Sequence, residues 1–238
     1  MTSDTTEFIE TRLAAVTAAT TRLLATVDTL DDAALPEPSL LPGWTRGHVL
    51  AHLSRNADSL VNLLLWAHTG IETPQYANAA LRDADIEAGA PRPLTEQRTD
   101  LAQSADRLLG LAKALPIEKW NAEVRTRQGR TIPASRVPWM RLLEVEIHHV
   151  DLAAGYTPAD WPADFVNTLL PEITASLSLS AEETFGIHAA DTGFETVVGS
   201  GTPDRTVTAP ASRLLAWLTG RGKGEDLPQP LPALPAWL

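Results

Sequence analysis

Apolar residues recur at helical spacing through most of the first two thirds of the chain, and the spacing predicts where its long elements lie. Phe8, Leu13, Val16, Leu23, Leu24 and Val27 mark a helix over about 5–30. After the proline-rich stretch "LPEPSLLPGW" a second helix is expected to start near Thr45, a plausible N-cap, and to run to about Trp66 with Val49, Leu53, Leu60, Leu63, Leu64 and Ala67 as its apolar stripe. The segment 71–93, interrupted by prolines at 74, 91 and 93, reads as irregular. Helices follow at about 94–115, carrying Leu101, Leu108, Leu109 and Leu115, and at about 138–154, with "AEVRTRQGRTIPASRV" between them reading as a hairpin around Gly129.

Beyond "GYTPADWP" the texture changes. A helix over 163–182 precedes two strands, "TFGIHAAD" and "FETVVG", meeting at a Thr192–Gly193 turn. A third strand, "RTVTA", comes next, then the helix "PASRLLAWLTG" with proline near its start and Gly220 at its end. The tail "LPQPLPALPAWL" carries too many prolines for a helix and reads as an extended strap packed through Leu231, Leu234 and Trp237. The expected fold is therefore mainly α with a small α/β part: a four-helix bundle over 1–157 and a C-terminal α/β domain over 158–238. Gly155, Pro158 and Pro162 mark the boundary.

Composition narrows the chemistry. With 44% hydrophobic and 21% charged residues, the 238-residue chain has the makeup of an ordinary globular protein. No apolar run approaches the roughly 18 residues that span a bilayer, and the polar N-terminus "MTSDTTEFIE" does not resemble a signal peptide, so a cytoplasmic protein is expected. Thirty acids against 19 bases give a net charge of −11, which argues against nucleic acid and anionic membranes as partners. An anionic substrate would need a local group of arginines. The absence of cysteine removes protein thiolates as nucleophiles or metal ligands, so any thiol chemistry must use a thiol brought in from outside.

The densest chemistry lies in "EVEIHHVDL" at 144–152. Stepping about 100° per residue, Met140, Leu143, Ile147, Val150 and Ala154 form a stripe, with Glu144 and His148 together on its edge and Asp151 beside them. Glu146 and His149 project to the opposite side, and His149 is expected to face solvent. On the second helix His52 lies at the stripe's edge near Asn56, whereas His48 falls toward the polar side. A bundle could bring His52, Glu144 and His148 to one interior point, and two imidazoles with one carboxylate is the donor set of a catalytic zinc site. A hydrogen-bonded Glu144–His148 pair with an unrelated, semi-buried His52 would fit the same spacing.

Three stretches carry a resemblance: "LPGWTRGHVLAHLSRNADSL" at 41–60, "RVPWMRLLEVEIHHVDLAAGY" at 136–156 and "LLAWLTGR" at 214–221. In order and content they are similar to the mycothiol-dependent maleylpyruvate isomerases, within the wider DinB-like metal-binding helical bundles. The resemblance implies metal ligation by His52 in "AHL" and by Glu144 and His148 in the Glu-x-x-x-His pair. It implies a C-terminal domain similar to sterol-carrier-protein folds, a divalent metal with zinc first, and mycothiol as thiol cofactor. The implied reaction is cis–trans isomerisation of maleylpyruvate to fumarylpyruvate in gentisate breakdown; separately, the protein is expected to be a monomer. Transfer of mycothiol to another electrophile, or a non-catalytic metal-stabilised ligand-binding bundle, would use the same scaffold.

The substrate implied by the resemblance is a dicarboxylate, which needs cations to orient it. Arg221, in "LTGR", resembles the family's functional arginine. Arg82 lies in the segment 71–93, where both a role at the bundle mouth and a solvated surface position remain open.

Overall fold

The structure is a computed structural model describing residues 2–235, with side chains described from residue 6; Trp237, one of the anchors expected for the tail, lies outside the described residues. The chain divides into two compact units, Met1–Gly155 and Tyr156–Leu238.

In the first unit four long helices close a ring: α1 (Thr2–Val27), α2 (Arg46–Thr69), α4 (Leu94–Ala114) and α5 (Val137–Asp151). α2 packs against α4 and α5, and α1 against the other sides of both. Every member of the expected α2 stripe is buried to within 1%. On α1, by contrast, Phe8 is exposed and Ile9 takes its place in the core. The expected hairpin forms from β1 (Glu123–Arg125) and β2 (Thr131–Pro133), paired antiparallel with Val124 opposite Ile132.

The segment 71–93 is not irregular throughout. It contains a fifth helix, α3 (Ala79–Gly89), started by Asn78, whose side chain accepts from the Leu81 amide at 2.9 Å. Its single strongly apolar anchor, Ile86, leaves no stripe to read, and its packing on α2 depends on missing side chains instead. A Cβ on Gly47 would lie 2.2 Å from the Ala90 carbonyl oxygen, and one on Gly89 would lie 2.8 Å from Ala51 Cβ. Two glycines therefore let α3 approach α2 backbone to backbone, which brings Arg82 over the second helix.

In the second unit α6 (Ala163–Ser178) and α7 (Ala211–Leu218) pack on a three-stranded sheet of order β4-β3-β5. The central strand β3 (Phe185–Ala189) pairs antiparallel with β4 (Phe194–Val198) and parallel with β5 (Thr206–Ala209). The turn between β3 and β4 ends at Gly193, whose φ of 71° suits glycine. Among the described residues the tail after Leu227 contains no helix: Arg205 donates to the Pro230 carbonyl at 3.1 Å, and Leu231 and Leu234 are half-buried.

Candidate metal centre

α2 begins where it does because Thr45 caps it. The Thr45 hydroxyl accepts from the His48 amide at 3.4 Å, and His48 Nδ1 accepts in return from the Thr45 amide at 3.2 Å. This commits His48 to the cap, with its Nε2 3.3 Å from Glu87 on α3. One turn on, His52 is only 5% exposed and turns toward α5. The Trp44 ring lies beside both imidazoles, 6.2 Å from His48 and 5.4 Å from His52 between centroids.

From α5, Glu144 meets His52. Its Oε2 lies 2.9 Å from His52 Nε2 and 3.2 Å from His148 Nε2. The two imidazole rings stand edge to face with centroids 4.7 Å apart. His148 Nδ1 is 2.8 Å from Oδ2 of the buried Asp151. Among the described residues, His52, Glu144 and His148 form a cluster whose ligand atoms all lie within 4.8 Å of one another. Donor atoms bonded to zinc at 2.0–2.1 Å in a tetrahedral site are about 3.3 Å apart, so small side-chain shifts would accommodate an ion. Asp151 fixes the His148 tautomer so that Nε2 is turned to the site, the usual arrangement behind a metal-binding imidazole.

The protonation states follow from opposing influences. Burial lowers the pKa of His52 below its ordinary value, against the pull of Glu144, and keeps it neutral as a metal ligand must be. Burial also works to raise the pKa of Glu144, but hydrogen bonds from His148 and His52 and their charge hold it well below the ordinary carboxylate value. For His148 burial disfavours charge, yet Asp151 first and Glu144 next push its pKa up. The cluster thus keeps a proton on His148 that a divalent cation would displace.

Two further residues border the cluster. Arg82 NH2 lies 3.3 Å from His52 Nδ1, its NH1 donates to Asp83 at 2.7 Å, and its guanidinium sits 5.8 Å from the centroid of the Tyr76 ring. Because α3 rests on α2, Arg82 stands at the site rather than in a solvated loop. Arg141, one turn before Glu144, is fully buried and donates through NH1 to the Leu53 carbonyl at 2.7 Å and to Asn56 Oδ1 at 2.9 Å. Among the described residues its Nε and NH2 have no hydrogen-bond partner, and burial lowers its pKa to about 10. Arg221 follows α7 in the second unit and donates to the Thr219 carbonyl at 2.7 Å.

One expectation is corrected: His149 does not face solvent. Glu146 and His149 do point away from Glu144 and His148, but not into water: they are 0% and 1% exposed. Glu146 Oε1 accepts from Arg22 NH2 at 2.5 Å, and His149 Nε2 is 2.7 Å from Thr26 Oγ1, both partners on α1. Helical angle assigned the directions correctly and missed that α5 lies between α1 and α2, with no wet face to receive the second set. Trp44, Asp151 and Arg141 escaped assignment to the site. Asp151 alone left a signal, its three-residue spacing from His148; the other two are placed by packing.

No curated protein matches the chain. Residues 16–153 match the family described as the mycothiol maleylpyruvate isomerase N-terminal domain. Among solved structures, the chain is similar to the crystal structure of a mycothiol-dependent maleylpyruvate isomerase, at 33% identity with a TM-score of 0.91, covering 96% of this chain and 97% of that one. It is also similar to the structure of an H52A mutant of that enzyme in its own numbering, at 32% identity and a TM-score of 0.89, covering 96% and 97%. With the family match spanning more than half of the chain and the structural match nearly all of it, this protein belongs to the mycothiol-dependent maleylpyruvate isomerase family.

Proposed function

We propose that this protein isomerises maleylpyruvate to fumarylpyruvate with mycothiol as the thiol, in gentisate breakdown in the cytoplasm, as a monomer holding a zinc ion through His52, Glu144 and His148. The observation that carries the reading is the convergence of the two Nε2 atoms on one Glu144 oxygen, with Asp151 behind His148. A bound divalent ion would supply positive charge to deprotonate a thiol or polarise a carbonyl oxygen at its open position.

A carbon–carbon double bond turns only when it is temporarily single. Thiolate sulfur, its proton lost to solvent, bonds to the alkene carbon conjugated with the ketone while the π pair moves to the ketone oxygen. Rotation about the former double bond, now single, and return of the electron pair from the ketone oxygen break the carbon–sulfur bond, expel the thiolate and leave the trans isomer, so no thiol is consumed. The chain's own part is to orient the ends of the substrate. Arg82, already against His52, is proposed to hold one carboxylate, and Arg221 another on the strength of the "LTGR" resemblance. We also assign the domains as a DinB-like bundle over 1–157 and a sterol-carrier-protein-like unit over 158–238. The ring of four helices and the sheet backed by two helices support this assignment.

The test is turnover of maleylpyruvate by metal-loaded, thiol-free protein with and without added mycothiol. Isomerisation that needs the thiol without consuming it supports the proposal. Stoichiometric thiol loss would instead make the protein a transferase, and neither outcome would leave a ligand-binding bundle.

A further inference from the structure

A cavity of about 360 Å³ opens between the β1–β2 hairpin and the segment leading into α3. Its lining includes Arg82, Arg125 and Arg127 against a single carboxylate, Glu72, whose Oε1 is 3.8 Å from Arg125 NH1. In a chain of net charge −11, three guanidiniums offset only by Glu72 and by Asp83 beside Arg82 leave the cavity locally positive.

The wall is held in place. Gln75, 6% exposed, accepts from the Arg127 amide at 2.7 Å through Oε1 and reaches Ser59 on α2 at 3.3 Å through Nε2. Asn62, also on α2, donates to the carbonyls of Pro74 and Gln75 at 3.2 Å each. The turn between the strands is closed by the Thr126 and Arg130 backbones at 2.9 Å and by the Gly129 amide on the Thr126 carbonyl at 2.8 Å. The side chains of Arg125 and Arg127 are exposed, while the hairpin backbone is tied through Gln75 to the helix that carries His52.

Arg82 belongs to both places. It lines the cavity, and its NH2 faces His52 Nδ1 at 3.3 Å, so one guanidinium separates the cavity from the metal centre. Asp83 and the Tyr76 ring hold its other faces.

We propose that this cavity is an anion subsite that binds the carboxylate end of the substrate lying away from the metal centre, with Arg125 and Arg127 setting the preference for a dicarboxylate. The proposal rests on the isomerase reading for the identity of its ligand. Guanidiniums suit this task because they bind carboxylates bidentately. On this assignment the hairpin governs the dicarboxylate and not the thiol, which sets the kinetic expectation below.

The test uses the full-length, metal-loaded protein and titrates it with pimelate, an unreactive dicarboxylate with the same number of carbons as maleylpyruvate. Binding should weaken about tenfold in an Arg125→Ala/Arg127→Ala variant and be lost when both are replaced by Glu. Because both side chains are exposed, these variants should fold and keep their metal. In kinetics KM for maleylpyruvate should rise about tenfold while KM for mycothiol stays within twofold. Gln75→Leu, which frees the hairpin, should weaken pimelate binding less than the double alanine variant does. Unchanged pimelate affinity in the double alanine variant would overturn the subsite, whether or not the enzyme turns over. Arginine-dependent pimelate binding by a protein that does not isomerise maleylpyruvate would overturn the functional reading and leave the subsite standing.

Discussion

His52 carries two neighbours that cannot both be kept once a metal binds. Arg82 can only donate, so His52 Nδ1 accepts from it and Nε2 carries the proton shared with Glu144. When Nε2 gives its lone pair to an ion, the neutral ring must carry its proton on Nδ1, and the contact with Arg82 is lost. Metal loading is thus expected to switch the His52 tautomer, seen in the nitrogen shifts of labelled imidazole, and to release Arg82 toward an anion. His52→Ala should abolish stoichiometric metal binding, whereas Asp151→Asn, which removes the charge behind His148, should weaken it about 10- to 100-fold in a competition titration. The metal-free protein should show a stability maximum near pH 6.5. Below that pH, His52, with its lowered pKa, binds fewer protons folded than unfolded, so stability rises with pH. Above it His148, with its raised pKa, holds a proton that the unfolded chain has lost, so stability falls as pH climbs through the raised value. Melting of chelator-treated protein across pH 5–9 checks this, and a monotonic profile would contradict the assigned shifts.

At the scale of elements, α5 is the member whose two polar faces do different work. One meets α2 at the metal centre, and the other ties α5 to α1 through Glu146–Arg22 and His149–Thr26. Glu146→Ala should therefore cost about 1.5–3 kcal/mol of stability, the range for a hydrogen bond to a charged group, while metal per folded chain is unchanged. Chemical denaturation together with metal analysis separates the two effects. Arg141 links the ligand-bearing helices directly, running from the turn before Glu144 to the carbonyl next to His52. The contact of α3 with α2 is equally local. Gly47→Ala would press a methyl group into the Ala90 carbonyl, and overpacking of this kind costs about 1–3 kcal/mol. Displacing α3 should also carry Arg82 from His52, so the variant should lose the metal-dependent release of Arg82 along with stability.

Over the whole molecule, all three proposed ligands belong to the unit Met1–Gly155. Metal at about 100 times its dissociation constant stabilises the state that binds it by about 2.7 kcal/mol. Slowed hydrogen exchange on loading is accordingly expected in that unit, most strongly in α2 and α5, and protection spread evenly over both units would contradict the ligand set. Arg221 lies in the other unit, and its replacement by Ala should leave metal content intact. If it clamps a carboxylate in the transition state, turnover should fall about 30- to 1,000-fold, corresponding to roughly 2–4 kcal/mol. Among the described residues, no helix is long and apolar enough to cross a membrane.

Helix α2 is legible in the order of its residues alone, because its stripe is continuous, one side is buried and Thr45 stops it at a cap. The Glu144–His148 pair is legible for the same reason: residues four apart share a face whatever the helix packs against. The hairpin around Gly129 and the β3–β4 turn announce themselves through residues that tolerate positive φ. Periodicity, however, reports the angle at which a side chain leaves its own helix, not what waits there. Whether Glu146 and His149 meet water or α1 depends on a helix more than 100 residues earlier in the chain. Whether Arg82 is a surface cation or a neighbour of His52 depends on two glycines that let α3 settle on α2. The buried Arg141 lies on a helix covered on more than one side, where polar and apolar faces no longer mean out and in. These are long-range contacts between elements, and only the packed tertiary structure brings such partners together.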